Sequence, residues 1–245
     1  MSLVTPVADL GDGVLVGFSS RAGGSSRPPY DSLNLGLSVG DDRAAVLANR
    51  GALAAACGLT FADLTWMRQV HGRDVWYAAS GPATPPGPVD AMFTDKPGQV
   101  LCVLVADCAP VLLADPRARI VGVAHAGREG LVAGVVPALV SAMAAAGAIP
   151  ARMRALIGPA ICGRCYEVPA GLQARVGTVA QAAPCATAAG TCGLDIAAGL
   201  RAQLGSAGVG SISTDGRCTR ESPGLYSYRR DGRTGRFAGL VWLSA

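Results

Sequence analysis

The most constraining feature of the sequence is residues 101–130, which read LCVLVADCAPVLLADPRARIVGVAHAGREG. Two apolar runs, VLVA and IVGVA, each end at a reactive residue, the first at Asp107 and Cys108 and the second at His125. Because strands deliver side chains to fixed points at their ends, we expect two neighbouring strands to hold Cys108 close to His125. The chain has two histidines, and the other, His71, lies in the segment Gln-Val-His-Gly. These residues form a candidate site.

The rest of the chain predicts short strands interspersed with helices. The turn Asp-Pro-Arg-Ala-Arg separates two apolar runs, which indicates a hairpin and therefore antiparallel pairing in part of the sheet. Strands are predicted over residues 14–20, 65–71, 75–78, 90–94, 103–106, 110–114, 120–124, 155–161 and 238–243. Helices are predicted over residues 43–57, with Asp41 or Asp42 as the N-cap, and over 131–146 and 194–204.

We expect one domain over residues 1–245, because half of the residues are apolar and suffice for a sizeable core. The predicted class is α/β (α+β), with a mixed, largely antiparallel β-sheet core and flanking helices. Residues 81–88, GPATPPGP, contain four prolines and predict a loop. Residues 170–193 are rich in Ala, Gly and Thr and give only a weak helical signal.

Charge and hydropathy exclude several classes of partner. The net charge is +4 and the pI is about 8.7, which is too mild to indicate a nucleic-acid partner. No apolar run reaches the roughly 18 residues of a membrane span, and the N-terminus lacks the features of a signal peptide. We therefore expect a cytoplasmic protein that binds neither nucleic acid nor membrane, as a monomer or homodimer.

The eight cysteines do not imply disulfides in a reducing compartment. Cys57 and Cys102 lie among Ala, Leu and Val and are interpreted as small core residues. Cys162 and Cys165 have the spacing of half a zinc knuckle. A second CxxC is missing, so a structural zinc there is the less favoured interpretation.

Two arginine-containing segments are candidates for binding phosphate. Arg21 opens the glycine-rich turn Arg-Ala-Gly-Gly-Ser-Ser, although a plain surface loop is the simpler interpretation. The C-terminal region contains six arginines with three acids among them, so ion-paired surface and a phosphate-binding loop are equal alternatives. These residues are Arg217, Arg220, Arg229, Arg230, Arg233 and Arg236, with Asp215, Glu221 and Asp231.

Two imidazoles and one thiolate, from His71, Cys108 and His125, suffice for an open zinc site whose fourth position is left to water or substrate. Such a zinc would keep Cys108 deprotonated and lower the pKa of its bound water to about 7. Asp107 could orient a histidine or transfer a proton. Three alternatives remain: a metal-free Cys108 nucleophile with His125 as base, a copper site, or a buried thiol with two structural histidines.

Several segments together resemble the bacterial laccase-domain family. They are QVHG at 69–72, ADCAP at 106–110, HAG at 125–127, GPAI at 158–161, CYEV at 165–168 and YSYRRDGRTGR at 226–236. The similarity extends in order from GFSSRAGG at 17–24 to VWL at 241–243, nearly the whole chain. This family was first called polyphenol oxidase, is now described as purine nucleoside phosphorylase, and is also called the peptidoglycan editing factor family.

The resemblance implies a single-domain α/β fold with zinc held by His71, Cys108 and His125. It also implies cleavage of adenosine, inosine and methylthioadenosine with phosphate as co-substrate, and deamination of adenosine. The catalytic residues would be these three together with Asp107. Beyond what the resemblance implies, our candidate substrate-binding residues are Arg21, Asn34, Arg128, Tyr228 and Arg229, with Arg21 and Arg229 as the candidates for phosphate.

The resemblance keeps other functions open. The family is related in fold to cysteine-nucleophile toxins and has been associated with peptidoglycan editing, which supports a metal-free Cys-His hydrolase. A copper-dependent polyphenol oxidoreductase and a non-enzymatic ligand-binding protein are further alternatives.

The sequence departs from the family pattern beside His125. Where the family usually reads His-Ala-Gly-Trp-Arg-Gly, this chain has Arg128 and Glu129 in place of Trp-Arg. The change removes an aromatic surface and adds an acid that would repel phosphate unless it is paired. Glu129 is also a weaker candidate than Asp107 for proton transfer in deamination.

Overall fold

The computed structural model describes residues 3–6, 10–79 and 85–244. The strands are β1 (Val4–Pro6), β2 (Val14–Ser19), β3 (Leu64–Trp66), β4 (Val75–Tyr77), β5 (Ala91–Thr94), β6 (Val100–Val105), β7 (Ala109–Asp115), β8 (Ile120–Ala126), β9 (Arg154–Ile157), β10 (Pro184–Ala186), β11 (Cys192–Leu194), β12 (Ser211–Thr214) and β13 (Phe237–Leu243). The α-helices are α1 (Arg43–Ala56), α2 (Arg128–Ala133), α3 (Val135–Ala145), α4 (Ala170–Gly177), α5 (Ile196–Ser206) and α6 (Tyr228–Asp231). Short 3-10 helices lie at Phe61–Asp63 and Pro150–Arg152.

The strands form two large sheets and one small hairpin. One sheet has the order β1-β2-β13-β6-β3, and the other has the order β12-β9-β7-β8-β5-β4. Pairing is parallel between β3 and β6, β4 and β5, and β9 and β12, and antiparallel elsewhere. Strands β10 and β11 form the separate hairpin. The mixed, largely antiparallel α/β class predicted from the sequence is confirmed.

The two large sheets pack face to face, and helices cover their outer faces. Side chains of β6 and β13 meet those of β7 and β8 in one apolar cluster between the sheets. Helices α3 and α5 pack on the outer face of the second sheet, while α1 covers the first. Strands in the middle of this stack are buried on both faces, which explains why they read as continuous apolar runs without alternation.

The central hairpin forms as predicted. Strands β7 and β8 pair antiparallel, with Ala109 opposite Ala126 and Asp115 opposite Ile120. The Asp115 carboxylate accepts hydrogen bonds from the backbone N–H groups of Arg117 and Ala118 at 3.0 and 3.1 Å, which closes the turn.

Three sequence predictions are wrong in detail. The runs at 103–106 and 120–124 lie in β6 and β8, which belong to different sheets rather than pairing side by side. The strand predicted over 65–71 ends at Trp66, because the backbone N–H groups that follow bond to a side-chain carboxylate instead of a neighbouring strand. Gly134, at φ 79°, divides the helix predicted over 131–146 into α2 and α3.

The other predicted elements agree more closely with the structure. Asp42 caps α1 by accepting the N–H of Ala44, and Asp195 caps α5. The strand predicted at 155–161 ends at Ile157, and the weak segment 170–193 contains α4 and the β10–β11 hairpin. Of the predicted loop 81–88, residues 81–84 lie outside the described part of the chain, and 85–88 form neither helix nor strand. Among the described helices, none combines the length and apolar character that crossing a membrane requires.

Candidate metal centre and cavity

His71 lies in the loop after β3 and has a backbone conformation that residues other than glycine rarely adopt. Its backbone φ is 63°, in the left-handed region, where a non-glycine residue costs about 1–2 kcal/mol. The backbone N–H groups of Val70, His71 and Gly72 all donate to the carboxylate of Asp90, at 3.0, 2.9 and 2.7 Å. These bonds offset the strain and hold the imidazole of His71 at a defined point.

Cys108 lies in the link between β6 and β7. The preceding residue, Asp107, has a φ of 89°, and its carboxylate accepts the Thr219 hydroxyl and the Arg229 backbone N–H, each at 2.6 Å. The carbonyl of Asp107 accepts the N–H of Ile161 at 2.9 Å. The link is therefore fixed by contacts from distant segments, and the Sγ atom of Cys108 lies 3.9 Å from Nε2 of His71.

His125 is the next-to-last residue of β8 and is 4% exposed. Its Nδ1 atom lies 2.8 Å from Oδ1 of Asp90, and its backbone N–H donates to the carbonyl of the same residue at 2.7 Å. Because Nδ1 is hydrogen-bonded to a carboxylate, Nε2 is the ring nitrogen that remains available to bind a metal or a substrate. The ring meets His71 edge to face, with 4.7 Å between ring centres.

The three side chains fit a metal ion. The ligand atoms of His71, Cys108 and His125 all lie within 4.8 Å of one another. Bonds of about 2.0–2.3 Å in tetrahedral geometry separate ligand atoms by roughly 3.4–3.7 Å, so small side-chain movements complete such a site. Gly127 provides the space, since a Cβ there would lie 2.6 Å from the Sγ of Cys108.

Electrostatics favour a charged pair within this group. Burial would raise the pKa of Cys108, but hydrogen bonds with His125 and His71 lower it to about 6. Burial would likewise lower the pKa of His125, but its bonds with Asp90 and Cys108 raise it to about 9. In the metal-free protein a thiolate then faces an imidazolium at neutral pH. Thiolate is the form of cysteine that both binds metals and acts as a nucleophile.

All three side chains line one cavity of about 1090 Å³. This volume suits a small organic ligand, which typically binds in clefts of about 300–1,000 Å³. The lining includes a set of arginines that makes the cavity cationic. They are Arg43, Arg50, Arg68, Arg128, Arg229 and Arg236.

The family described as multi-copper polyphenol oxidoreductase laccase matches residues 15–244 of the chain. The chain belongs to this family. A protein of Streptomyces coelicolor named purine nucleoside phosphorylase is 52% identical over 236 residues, which are 96% of this chain and 98% of that protein. A Mycobacterium tuberculosis protein with the same name is 48% identical over 225 residues, 92% of this chain and 90% of its own length.

The fold is also similar to a solved member. The crystal structure of the hypothetical protein YfiH of Bacillus licheniformis superposes with a TM-score of 0.89 at 28% identity, covering 100% of this chain and 97% of that one. This likeness supports the laccase-family fold over the whole chain.

Of the substrate-binding residues predicted for this laccase-family chain, three line the cavity. Tyr228 is 62% exposed at its rim, and Arg128 and Arg229 contribute guanidinium groups. Arg229 donates to the carbonyl of Glu167 at 2.9 Å and stacks on Tyr166, with its Cζ 4.9 Å from the ring centre.

The departure from the usual laccase-family motif forms an ion pair. The guanidinium of Arg128 donates two hydrogen bonds to the carboxylate of Glu129. The negative charge that this chain adds beside His125 is therefore paired with the positive charge that it adds at the same place.

Two predicted substrate-binding residues lie outside the cavity lining. Arg21 forms ion pairs with Asp31 at 3.3 Å and Asp231 at 3.1 Å, and its Nε donates to the Asp31 carbonyl at 2.7 Å. Asn34 is fully buried, and its Oδ1 accepts the N–H groups of Gly36 and Arg236 at 2.9 and 2.8 Å. Both side chains connect loops around the cavity instead of facing into it.

The expectation that Asp107 orients a histidine is also wrong. Both of its carboxylate oxygens are occupied, by Thr219 and by the backbone of Arg229, so it fixes the loop that precedes Cys108. The carboxylate that contacts histidine is Asp90, which sequence analysis missed. An acid directly before the apolar strand β5 was the available signal.

The C-terminal arginines divide between the two predicted roles. Arg217 pairs with Asp215 at 2.6 Å and Arg230 with Asp231 at 2.8 Å, as expected of ion-paired surface. Arg229 and Arg236 instead line the cavity. Burial lowers the pKa of Arg236, while the nearby Cys108 opposes this shift, so this guanidinium lies close to the candidate metal centre.

Proposed function

We propose that this chain is a zinc-dependent purine nucleoside phosphorylase that cleaves adenosine, inosine and methylthioadenosine with phosphate. The observation that carries the proposal is the convergence of His71, Cys108 and His125 in one arginine-lined cavity. The name of the relatives that match nearly the whole chain supports the reaction class.

The zinc would be held by the two imidazole Nε2 atoms and the Cys108 thiolate. When bound, it would supply Lewis-acid stabilisation of developing negative charge and activation of water. The carboxylate of Asp90 would keep the proton on Nδ1 of His125, so that Nε2 carries the lone pair that binds the metal.

Phosphorolysis needs a binding site for the phosphate anion. Phosphate attacks the ribose C1′, the glycosidic C–N bond breaks, and its electron pair leaves with the purine. Arg43 and Arg68 line the cavity, and within the described residues their side chains make no hydrogen bond or ion pair. Together with Arg229 and Arg236, they would neutralise the phosphate and position it for in-line attack.

Aromatic side chains would bind the purine. Tyr166 and Tyr228 both line the cavity, and Tyr166 is already stacked by Arg229. Aromatic faces bind a planar base with little preference for its substituents. This would suit an enzyme that accepts both adenine and hypoxanthine nucleosides.

The same cavity would support adenosine deamination, in which water adds to C6 and ammonia leaves to give inosine. Because both oxygens of Asp107 are engaged, the acid for this step is not assigned to it. Glu129 is the remaining candidate from the sequence, and its carboxylate accepts two hydrogen bonds from the guanidinium of Arg128.

The test is to incubate the zinc-loaded protein with each of the three nucleosides, with and without phosphate, and to quantify the free base, the sugar 1-phosphate and inosine. We expect free base and sugar 1-phosphate only when phosphate is present. Inosine from adenosine without phosphate reports the deaminase activity. If the zinc-loaded protein converts none of the three nucleosides, the proposal is wrong.

A second candidate function rests on the low pKa of Cys108. A thiolate beside an imidazolium suits a metal-free hydrolase, the alternative that would agree with a role in peptidoglycan editing. Cys108 would attack an acyl carbon, and the amine or alcohol would leave with the proton of His125. Water would then release the acyl group from the sulfur as a carboxylic acid. Chelation separates the two candidates, since it would abolish phosphorolysis but leave thiolate catalysis intact. Multi-copper oxidation is less favoured because the chain has two histidines, both in this one centre.

A further inference from the structure

A second group of metal-ligand side chains packs against Ile161 and Tyr166, two residues that line the cavity. It consists of Cys162, Cys165, Cys218 and Glu221, whose ligand atoms all lie within 4.8 Å of one another. The sulfur of Cys165 is 3.4 Å from Oε1 of Glu221. The missing second half of the CxxC pattern is thus supplied by residues more than fifty positions later in the chain.

The backbone around this group is organised by local hydrogen bonds. The carbonyl of Cys162 accepts the N–H groups of Cys165 and Tyr166 at 2.9 and 3.0 Å, which forms a tight turn. The N–H of Cys162 points at the sulfur of Cys218, 3.4 Å away. Cysteine binds a metal as the thiolate, and this N–H is placed to donate to the sulfur of such a ligand.

Burial and chemistry indicate a cation in this place. Cys165 and Cys218 are 8% and 6% exposed and pack with Ile161 and Tyr166. All eight cysteines lie in the described part of the chain and are free thiols, so no disulfide explains the cluster. Three thiols and a carboxylate that converge in a small volume repel one another once ionised, and a divalent cation would relieve that repulsion.

We propose that Cys162, Cys165, Cys218 and Glu221 form a second metal site, which holds a structural zinc ion. Three sulfurs and one carboxylate oxygen complete a tetrahedral shell without an open position, as structural zinc sites do. The soft thiolates also favour zinc over magnesium or calcium. This proposal does not depend on the reaction catalysed in the cavity.

The second zinc would tie together two segments that shape the catalytic cavity. Tyr166, which follows Cys165, lines the cavity, and Thr219, which follows Cys218, donates the hydroxyl that fixes Asp107 beside Cys108. Arg230 donates to the carbonyls of Thr219, Arg220, Ser222 and Leu225 at 2.8 to 3.2 Å and so places a positive charge beside the anionic cluster.

The test uses a background in which the first centre is removed, the double variant His71→Ala/Cys108→Ala. Since this background has no thiol in the first centre, a cobalt–thiolate charge-transfer band can arise only from another cysteine cluster. We expect the double variant to bind one equivalent of Zn²⁺ by elemental analysis and to show the band when titrated with Co²⁺. Adding Cys165→Ser should abolish the band, whereas adding the control Cys57→Ser should leave it unchanged.

A milder substitution distinguishes loss of zinc binding from unfolding of the protein. Glu221→Gln keeps all three thiols and should weaken zinc binding by about tenfold or more while circular dichroism stays unchanged. For the wild-type protein we expect two zinc ions per chain. The proposal is overturned if the double variant binds no zinc, or if its cobalt band persists after Cys165→Ser. A wild-type protein with one zinc that is lost in Cys108→Ala and kept in Cys165→Ser would also overturn it.

Discussion

The Oδ1 atom of Asp90 lies 2.8 Å from Nδ1 of His125 and also accepts a hydrogen bond from the backbone N–H of His71 at 2.9 Å. One buried acid thus positions both histidines of the candidate metal centre, which lie 54 residues apart in a chain that has no others. Burial opposes ionisation, but hydrogen bonds from His125, Val70 and Gly72 hold the pKa of Asp90 below its ordinary value. An ionised carboxylate can accept all of these bonds at once.

Replacing Asp90 with Asn should therefore displace both histidine side chains. The amide has one acceptor oxygen, and its NH₂ group would face N–H donors. We expect a 10–100-fold loss of zinc affinity and a decrease of about 1–3 kcal/mol in the free energy of unfolding. Competition with a chromogenic chelator and urea denaturation measure the two effects. The control is Asp95→Asn at a partly exposed acid, and equal zinc affinity in the two variants would contradict the positioning role.

The strand ends and the hairpin of this centre could be predicted because local sequence patterns encode them. Apolar runs that end at Cys108 and His125 indicated strand ends, and the hairpin of β7 and β8 follows from a short turn motif. Which runs share a sheet was not predictable, because strands buried on both faces look alike in sequence. In the structure, the run before Cys108 belongs to one large sheet and the run before His125 to the other.

The hydrogen bonds that support the centre could not be predicted, because they join residues that are distant in the chain. Asp90 contacts groups 18 to 35 residues away, and nothing near it in the sequence marks them. Arg21 looked available for phosphate, yet one of its partners, Asp231, lies 210 residues later. Such long-range pairs depend on the folded topology rather than on local periodicity.

Gly127 leaves room for the sulfur of Cys108, and Gly127→Ala should displace it. The added Cβ would lie 2.6 Å from Sγ and 3.4 Å from Cδ2 of His71, so the thiolate must rotate out of the site. We expect loss of zinc and of phosphorolysis with a far-ultraviolet circular dichroism spectrum like that of the wild type. Gly171→Ala is the matched control, because outside its own helix backbone and chain neighbours no atom lies within 4 Å of the added Cβ. Gly127→Ala protein with normal zinc content would show that the contact is unimportant.

Arg229 and Arg21 should respond differently to replacement by alanine. Arg229 lines the cavity, so its loss should raise the KM for phosphate by about 10–100-fold, the value of one charge-assisted hydrogen bond. Arg21 lies outside the lining and is ion-paired, so its loss should lower the free energy of unfolding by about 1 kcal/mol and leave that KM unchanged. Steady-state kinetics at varied phosphate, with thermal denaturation, distinguish the effects. If Arg21→Ala raises the KM for phosphate and Arg229→Ala does not, Arg21 belongs to the phosphate site and Arg229 does not.

The pH dependence of Cys108 alkylation reports the charge pair directly. In chelator-treated protein, the pKa of about 6 means that the thiolate fraction rises from pH 5 and is nearly complete by pH 7, far below the ordinary thiol value of 9.0. The iodoacetamide reaction at Cys108, followed by peptide mass spectrometry, should rise along that curve. His125→Gln removes one of the hydrogen bonds that stabilise the thiolate, so its curve should move toward higher pH. Bound zinc should protect the residue at neutral pH, where the ligands are deprotonated. If alkylation in chelated wild-type protein instead follows a pKa near 9, the thiolate–imidazolium pair does not form. The metal-free Cys-His candidate then loses its support, whereas the zinc proposal does not, because a bound metal can itself deprotonate the thiol.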